Sequence, residues 1–193
     1  MMRIITGRAR GTRLDTLAGE RTRPTAERTK EAVFSMLQFR MTDAAVLDLF
    51  SGSGQLALEA LSRGAKSAVL CDSAKEAIDV IRRNAQKTRL DAQCRIVCSD
   101  YRSFLQNYQG DGFDIVFLDP PYALGAVPIA LSLLIERGLL KESAIVVCET
   151  GAAEDVFAGD RSLEACFAIK RQTRYGAACV TVLERALEGG LTE

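Results

Sequence analysis

Four consecutive residues, Asp119-Pro120-Pro121-Tyr122, combine an acid, two prolines and an aromatic ring. They follow the apolar run Phe113–Leu118, which predicts a buried strand. Because the prolines restrict the backbone, the Asp119 carboxylate and the Pro120 carbonyl form a rigid pair of acceptors. Such a pair can hold the hydrogens of an exocyclic base amine and stabilise the positive charge that develops on its nitrogen, while Tyr122 stacks on the base. The motif predicts methyl transfer to a planar amine, with these four residues as the catalytic set.

A second candidate site is the glycine-rich turn Ser51-Gly52-Ser53-Gly54, which follows an apolar run and precedes a predicted helix. Ligands bind at this turn in doubly wound sheets, and its glycines allow close approach of the backbone. Asp48 lies just before the turn, where a carboxylate would repel a pyrophosphate but attract the ammonium and sulfonium groups of S-adenosylmethionine. The sequence therefore predicts S-adenosylmethionine as the cofactor rather than a dinucleotide.

Acidic residues also stand at the ends of the next two predicted strands. Asp72 is placed to accept hydrogen bonds from ribose hydroxyls, and Asp100 from an adenine amino group. Each aspartate by itself could equally cap a helix, but acids at three successive strand ends favour a ligand site. The predicted cofactor-binding residues are Asp48, Phe50, Gly52, Gly54, Asp72, Ser73, Asp100 and Tyr101.

The elements that must position these residues alternate between short apolar runs and helical segments, as in βαβ units. The predicted strands are 45–50, 67–71, 94–98, 113–118, 144–148, 166–170 and 178–183, and the predicted helices are 26–39, 55–63, 75–90, 101–108 and 127–136. No helical pattern separates the last two strands, which favours an antiparallel hairpin. We expect an α/β, Rossmann-like class I S-adenosylmethionine-dependent methyltransferase fold, with a seven-stranded mostly parallel sheet and a small N-terminal β-hairpin arm.

Length and charge set further expectations. A chain of 193 residues, 48% hydrophobic and 26% charged, fits one globular domain. We predict a single methyltransferase domain, 1–193, with a basic arm at 1–24 and a catalytic core at 25–193. The first forty residues hold nine Lys/Arg against four acids, which suits a phosphate backbone, although a solvated basic arm would show the same charge. The predicted RNA contacts are Arg8, Arg10, Arg13, Arg23 and Thr25.

Other classes of protein are disfavoured. No apolar run approaches the roughly 20 residues that span a bilayer, and the first residues do not resemble a signal peptide, so we expect a cytoplasmic protein. With no histidine and six cysteines outside any C-x-x-C pair, a metal site is not expected. Cys71, Cys94, Cys98 and Cys148 lie in apolar runs and are expected to be buried, reduced thiols.

The chain resembles the RsmD family, the bacterial small-subunit ribosomal RNA guanine-N2 methyltransferases. The resemblance rests on Arg3-Ile4-Ile5-Thr6-Gly7, Arg10-Gly11, Leu14, Arg23-Pro24-Thr25, Arg28, Glu31-Ala32-Val33-Phe34, Leu47-Asp48-Leu49-Phe50-Ser51-Gly52-Ser53-Gly54, Glu59-Ala60-Leu61-Ser62-Arg63-Gly64-Ala65, Asn84, Asp119-Pro120-Pro121-Tyr122 and Tyr175-Gly176. It implies transfer to N2 of one guanine of 16S rRNA, of the guanine-966 type, in the small ribosomal subunit or an assembly intermediate. It also implies that the arm touches RNA. We expect a monomer without a membrane partner.

Two positions depart from the family pattern, and three alternatives remain. Asp72 replaces a usual glutamate and Gln55 a usual small residue, and both changes could weaken cofactor affinity.

A DNA adenine-N6 methyltransferase shares the catalytic motif, but this chain lacks residues for a separate recognition region. A catalytically silent rRNA-binding assembly factor would not need an intact motif. Glutamine-N5 transfer uses a related motif that usually begins with Asn, which Asp119 disfavours.

Overall fold

The computed structural model describes residues 2–17, 24–121 and 125–186, with backbone alone for 24–28. Within these ranges seven strands form one sheet in the order β3-β2-β1-β4-β5-β7-β6. The strands are β1 (Ala45–Asp48), β2 (Ser67–Asp72), β3 (Cys94–Cys98), β4 (Phe113–Leu118), β5 (Leu140–Gly151), β6 (Phe167–Tyr175) and β7 (Ala178–Arg185). The helices are α1 (Pro24–Met36), α2 (Gln55–Ser62), α3 (Lys75–Thr88), α4 (Tyr101–Asn107), α5 (Ala126–Glu136) and α6 (Arg161–Ala165), with 3₁₀ turns at Gln38–Arg40 and Asp91–Gln93.

The chain divides into two compact units, and the first is Met1–Tyr101. In this unit β1 pairs with β2, and β2 with β3, in parallel, with Ala45 opposite Ser67 and Ala68 opposite Cys94. Parallel strands need a crossover between them, and α2 and α3 provide it. Ala45, Val46 and Leu47 lead directly into Asp48, so the strand presents this acid at its carboxyl end.

The second unit, Arg102–Glu193, holds the other four strands. In it β4 and β5 are parallel, whereas β7 is antiparallel to both β5 and β6. The predicted terminal hairpin is confirmed, and Gly176 supplies the left-handed residue of its turn at φ 65°. The predicted α/β methyltransferase fold with a mostly parallel sheet is thus confirmed.

Several predicted bounds were wrong. β5 begins at Leu140, not 144, because Leu140 pairs with Phe113 ahead of a bulge, after which the regular pairing resumes at Ile145 opposite Ile115. Helix α1 begins at Pro24, two residues before the predicted start at 26, so Thr25 lies inside its first turn. Proline suits that first position because its missing N–H has no partner there anyway. Helix α6 was missed, although the Asp160 side chain caps it by accepting from the N–H groups of Ser162 and Leu163.

The N-terminal segment folds back on itself as a small hairpin. An isolated antiparallel bridge joins Arg3 and Arg13, and the Ile4 N–H donates to the Thr12 carbonyl at 3.0 Å. Gly7 is left-handed at φ 85°, and a Cβ on it would lie 1.8 Å from the Ser62 carbonyl oxygen. Glycine is therefore required where this segment meets α2.

Two cysteine predictions were also wrong. Cys71 and Cys148 are buried, but Cys94 is half-buried and Cys98 is exposed. Both of these lie on β3, which is an edge strand and so lacks a neighbour on one side. Among the described helices, none combines the length and apolar character needed to cross a bilayer.

Candidate functional site

The glycine turn connects β1 to α2 and adopts a conformation that its two glycines permit. Gly52 and Gly54 are left-handed, at φ 52° and 77°. A Cβ on Gly54 would also lie 3.1 Å from the Leu70 side chain, so the turn packs closely on β2. The Ser51 N–H donates to the Cys71 carbonyl at 3.0 Å, which ties the turn to the same strand. The predicted ligand turn is therefore rigid and backs onto β2.

Asp48 lies beneath this turn with a side chain that is 1% exposed. Its Oδ2 accepts from the Ala57 N–H at 3.3 Å, whereas Oδ1 accepts no hydrogen bond from any residue that the structure describes. Burial, with a smaller contribution from the nearby Asp72 charge, raises the pKa of this carboxyl to about 7. A buried acceptor without a donor is costly, and a cationic ligand group would compensate it. This orphaned oxygen fits the ammonium end of S-adenosylmethionine.

Asp72, at the end of β2, accepts hydrogen bonds from the backbone of the glycine turn and from the residue before α3. Its Oδ2 accepts from the Gly52 N–H and its Oδ1 from the Ala74 N–H, both at 2.9 Å. Each carboxylate oxygen can accept a second hydrogen bond, so contact with a ribose remains open to this side chain. The side chain that was predicted only as a ligand contact also holds the glycine turn and the start of α3.

The three strand-end aspartates gather around one buried thiol. Burial raises the pKa of Cys71 to about 12, and the charges of Asp72, Asp100 and Asp48 contribute in that order. The three carboxylates thus all lie near enough to Cys71 to affect its charge, and their contact with one ligand stays a prediction. The sequence predicted this convergence from strand order alone.

An aromatic pair borders the same end of the sheet. The rings of Phe50 and Tyr101 lie 5.2 Å apart between centroids, tilted by 47°. Both side chains are half-buried, whereas Asp100 and Ser73 are exposed. Flat, partly exposed rings beside an exposed acid offer a stacking face and an acceptor, which is what an adenine base requires.

Two buried polar side chains that the sequence assigned no role hold the N-terminal segment on the first unit. Glu59 of α2 is fully buried and accepts from the N–H groups of Ile5, at 2.7 Å, and Thr6, at 3.0 Å. Its charge is compensated by Arg63 Nε at 2.7 Å and Lys30 Nζ at 3.9 Å. A glutamate within an otherwise apolar stretch of helix was the signal for this role.

The second such residue is Asn84 of α3, which is also fully buried. Its Nδ2 donates to the carbonyls of Ser53, at 2.8 Å, and Asp15, at 3.0 Å, and its Oδ1 accepts from the Asp15 N–H at 2.8 Å. Asn84 therefore joins the glycine turn to the N-terminal segment. Its position on the apolar face of α3, at helical spacing from Ile81 and Thr88, was the signal in the sequence.

The predicted RNA contacts lie only partly within the described residues. Arg8, Arg10 and Arg13 are exposed on the N-terminal hairpin, and none forms an ion pair with a described residue. Arg23 and the side chain of Thr25 lie outside the described part of the chain. The exposed guanidinium groups suit phosphate contacts, and their role in RNA binding stays a prediction.

The catalytic motif follows β4 in the second unit. Asp119 and Pro121 are exposed and Pro120 is buried, while Tyr122 lies outside the described residues. Buried residues of β4 from Ile115 to Leu118 anchor the motif, so the acid projects from a fixed strand end. The acceptor role of Asp119 and the stacking role of Tyr122 both stay predictions.

A cavity of about 280 Å³ lies against the motif within the second unit. Pro120 forms one wall, and the start of α5, from Gly125 to Pro128, forms another. Its remaining lining includes the acidic residues Glu149, Glu154 and Asp155. Carboxylates at such a place can accept from the amino and imino groups of a purine.

Comparisons with known proteins agree with this architecture. The model of a family described as conserved hypothetical protein 95 matches residues 2–184. The ribosomal RNA small subunit methyltransferase D of Haemophilus influenzae is 37% identical over 151 residues, which cover 77% of this chain and 78% of the relative. The Escherichia coli protein of the same name is 32% identical over 188 residues, covering 97% of this chain and 92% of the relative.

A solved structure supports the same relationship. The Escherichia coli protein yhhF matches with a TM-score of 0.83 and 32% identity, and the match covers 95% of this chain and 97% of that one. Sequence and fold therefore agree over nearly the whole length. The chain belongs to the RsmD family, whose model is the one described as conserved hypothetical protein 95.

Proposed function

We propose that this chain transfers a methyl group from S-adenosylmethionine to the exocyclic N2 of one guanine of 16S rRNA, of the guanine-966 type. The observation that carries the proposal is the position of Asp119. It is an exposed acid at the end of a buried strand, followed by a buried proline that forms the wall of a cavity. A rigid acceptor beside a cavity is what an exocyclic amine needs to react. The names of the two relatives support rRNA as the substrate.

The first unit would hold the cofactor. Asp48 Oδ1 would accept from its ammonium group, and Asp72 would accept from ribose hydroxyls beside the glycine turn. Asp100 would accept from the adenine amino group, and the Phe50 and Tyr101 rings would contact the base. When bound, the cofactor supplies a methyl group activated by a positively charged sulfur.

The motif of the second unit would bind the acceptor amine. A guanine N2 is a weak nucleophile because its lone pair is delocalised into the ring. Hydrogen bonds to the Asp119 carboxylate and the Pro120 carbonyl favour a pyramidal nitrogen, whose lone pair forms the new N–C bond as the C–S bond breaks. The electron pair of that bond remains on sulfur. The methylated nitrogen is then strongly acidic and loses its proton to water, so no histidine is required.

The basic N-terminal segment would bind the phosphate backbone of the RNA. Arg8, Arg10 and Arg13 project from a hairpin that Glu59 holds against α2. Phosphate contacts position a protein without reading sequence, so the hairpin would orient the RNA while the motif selects the amine. The proposal includes a cytoplasmic monomer that acts on the small subunit or its assembly intermediate, as one domain.

Nucleoside analysis of rRNA and DNA from a strain that lacks the gene tests this function. We expect the loss of one N2-methylguanosine from 16S rRNA and its return when the gene is restored. Purified protein with labelled S-adenosylmethionine should restore the same nucleoside on small subunits from that strain. Loss of N6-methyladenine from DNA, or unchanged nucleosides in both nucleic acids, would overturn the proposal.

A further inference from the structure

We infer that Asn84 is a positioning residue that hydrogen-bonds the N-terminal hairpin to the glycine turn, a link called here the Asn84 clasp. Through this link, RNA and cofactor bind cooperatively. The inference rests on the proposed function, because it assigns the hairpin to RNA and the turn to S-adenosylmethionine. It concerns a side chain that touches neither ligand. Its contacts lie entirely within the first unit.

The two ends of the hairpin segment meet the turn at one residue, Ser53. From one side, Asn84 Nδ2 donates to the Ser53 carbonyl while the same amide binds the Asp15 backbone through both of its groups. From the other side, the Ser53 hydroxyl donates to Met2 Sδ at 3.1 Å. The Leu14 N–H donates to the Met2 carbonyl at 3.0 Å, which links the two ends to each other. Ser53 is therefore held by a closed ring of contacts.

Ser53 is the residue through which such a ring would act on a ligand. It lies between Gly52 and Gly54, whose left-handed conformations have little resistance to rotation of their own. The shape of the turn therefore depends on its contacts. The Gly54 N–H donates to the Ser51 carbonyl at 2.7 Å, the Gly52 N–H donates to Asp72, and Asn84 holds the Ser53 carbonyl. Moving the Ser53 carbonyl rotates the peptide that follows it, which carries the Gly54 N–H. A side chain that fixes this carbonyl fixes the turn.

The amide of Asn84 suits this role better than other side chains of its size. It offers donors and an acceptor at once, and the backbone groups of Ser53 and Asp15 use both. A carboxylate of the same shape would keep the acceptor for the Asp15 N–H but would face two carbonyl oxygens without a donor. The ion pairs of Asp15 with Arg83 and Lys87 are exposed, so they add little to the clasp.

Cooperativity follows from the shared ordering of these groups. RNA bound at Arg8, Arg10 and Arg13 restrains the hairpin, and through Asn84 it restrains Ser53. A cofactor that then enters an already ordered turn loses less conformational freedom on binding. By linkage, the cofactor must favour RNA binding by the same factor.

The test measures the affinity of the full chain for S-adenosylhomocysteine by calorimetry, with and without saturating small subunits from a strain that lacks the gene. We expect RNA to tighten binding of the wild-type chain at least about fivefold, and Asn84→Asp to reduce this factor to about one. In methylation assays Asn84→Asp should raise KM for both substrates about tenfold and leave kcat within about twofold, because the groups at the amine are intact. Asp15→Ala is the matched control, since it removes both ion pairs but keeps the backbone atoms that bind Asn84.

Met2→Leu tests the same ring of contacts from the hairpin side. Because it leaves the buried Asn84 unchanged, this variant should fold even if Asn84→Asp does not. It removes the sulfur acceptor of the Ser53 hydroxyl and should lower the coupling factor by about half. Absence of coupling in the wild-type chain, or full coupling in both variants, would overturn the inference. A wild-type chain with coupled binding and no methyl transfer would instead contradict the proposed function and leave the clasp in place.

Discussion

The two units of this chain differ in what they bury. Among the described residues, the interior of Met1–Tyr101 holds Lys30, Asp48, Glu59 and Asn84, whereas the only polar side chains buried in the second unit are Thr150 and Thr181. The charges differ as well. The first unit carries seventeen Lys/Arg and twelve Asp/Glu, and Arg102–Glu193 carries eight and thirteen. One unit is basic with a polar interior, and the other is acidic with an apolar one.

The difference shows two ways of holding functional groups in position. In the first unit, buried polar side chains hold a turn and a hairpin whose backbones would otherwise be loose. In the second, the apolar strand β4 and two prolines present an exposed acid at the strand end. Substitutions in the first unit should therefore change stability and ligand affinity together. Substitutions at the motif of the second should change the reaction alone.

The largest effect is expected for Asp119→Ala. Loss of the carboxylate removes one of two acceptors for the amine, and kcat should fall about a thousandfold. Stability should be unchanged because Asp119 is exposed, and cofactor affinity should stay within a few-fold. Radiolabel transfer to small subunits measures the rate, and calorimetry measures the affinity. Asp111→Ala, another exposed acid of the same unit, is the control, and an active Asp119→Ala enzyme would remove this residue from the catalytic set.

The next largest effect is on stability, for Glu59→Ala. Removing the carboxylate leaves Lys30 and Arg63 without their buried partner and leaves the N–H groups of Ile5 and Thr6 without an acceptor. The free energy of unfolding should fall by about 3 to 5 kcal/mol in urea titrations. Glu142→Ala, at an exposed position of β5, should change it by less than about 0.5 kcal/mol. Equal losses for both would show that the two units do not differ as described.

A smaller effect is expected on RNA affinity when Arg8, Arg10 and Arg13 are replaced together by glutamate. Each lost phosphate contact lowers the salt dependence of binding by about 0.7 to 0.9 in a plot of log affinity against log salt, so the slope should fall by roughly two to three. Fluorescence anisotropy at several potassium chloride concentrations measures it. A variant with Lys66, Arg82 and Arg89 reversed has the same net charge and serves as the control. If both variants bind equally weakly, the basic hairpin is a solvated surface.

The smallest effect is a pH dependence that arises from Asp48. Its pKa is raised from 3.8 to about 7 in the folded chain, so this group lowers stability as pH rises from about 4 to about 7. The ionised form binds a cation, so affinity for S-adenosylmethionine should rise up to about tenfold per pH unit below pH 7. Calorimetry between about pH 5.5 and about pH 7.5 checks this. Asp48→Asn should bind weakly at every pH, whereas the exposed-site control Asp79→Asn should follow the wild-type profile.

Some parts of the fold could be predicted from local pattern because local physics decides them. The runs that became β1 and β4 are apolar on both faces, and no other placement would bury them. Gly64 and Gly138 come just after the helices predicted at 55–63 and 127–136, where glycine is typical of a helix end, and both are left-handed there. The extension of β5 back to Leu140 could not be predicted, because a bulge that includes the left-handed Ser143 separates the Leu140–Phe113 pair from the regular ladder.

The candidate site divides in the same way. Residue type and order alone predicted the acids Asp48, Asp72 and Asp100, since the carboxyl ends of parallel strands share one edge. The structural role of Asp72, as an acceptor for the Gly52 N–H, could not be predicted, because it depends on how the turn folds back over β2. The single-domain prediction for 1–193 and the role of Tyr122 stay predictions.

The sequence by itself determined the reaction class, the fold family and the positions of the acids and glycines, because these follow from residue types at short spacing. Only the tertiary structure decided which polar groups are buried together. Asn84 is distant along the chain from both Ser53 and Asp15, and Glu59 is distant from Ile5. Contacts between distant residues carry no periodicity, and their energies depend on burial that exists only once the chain has folded.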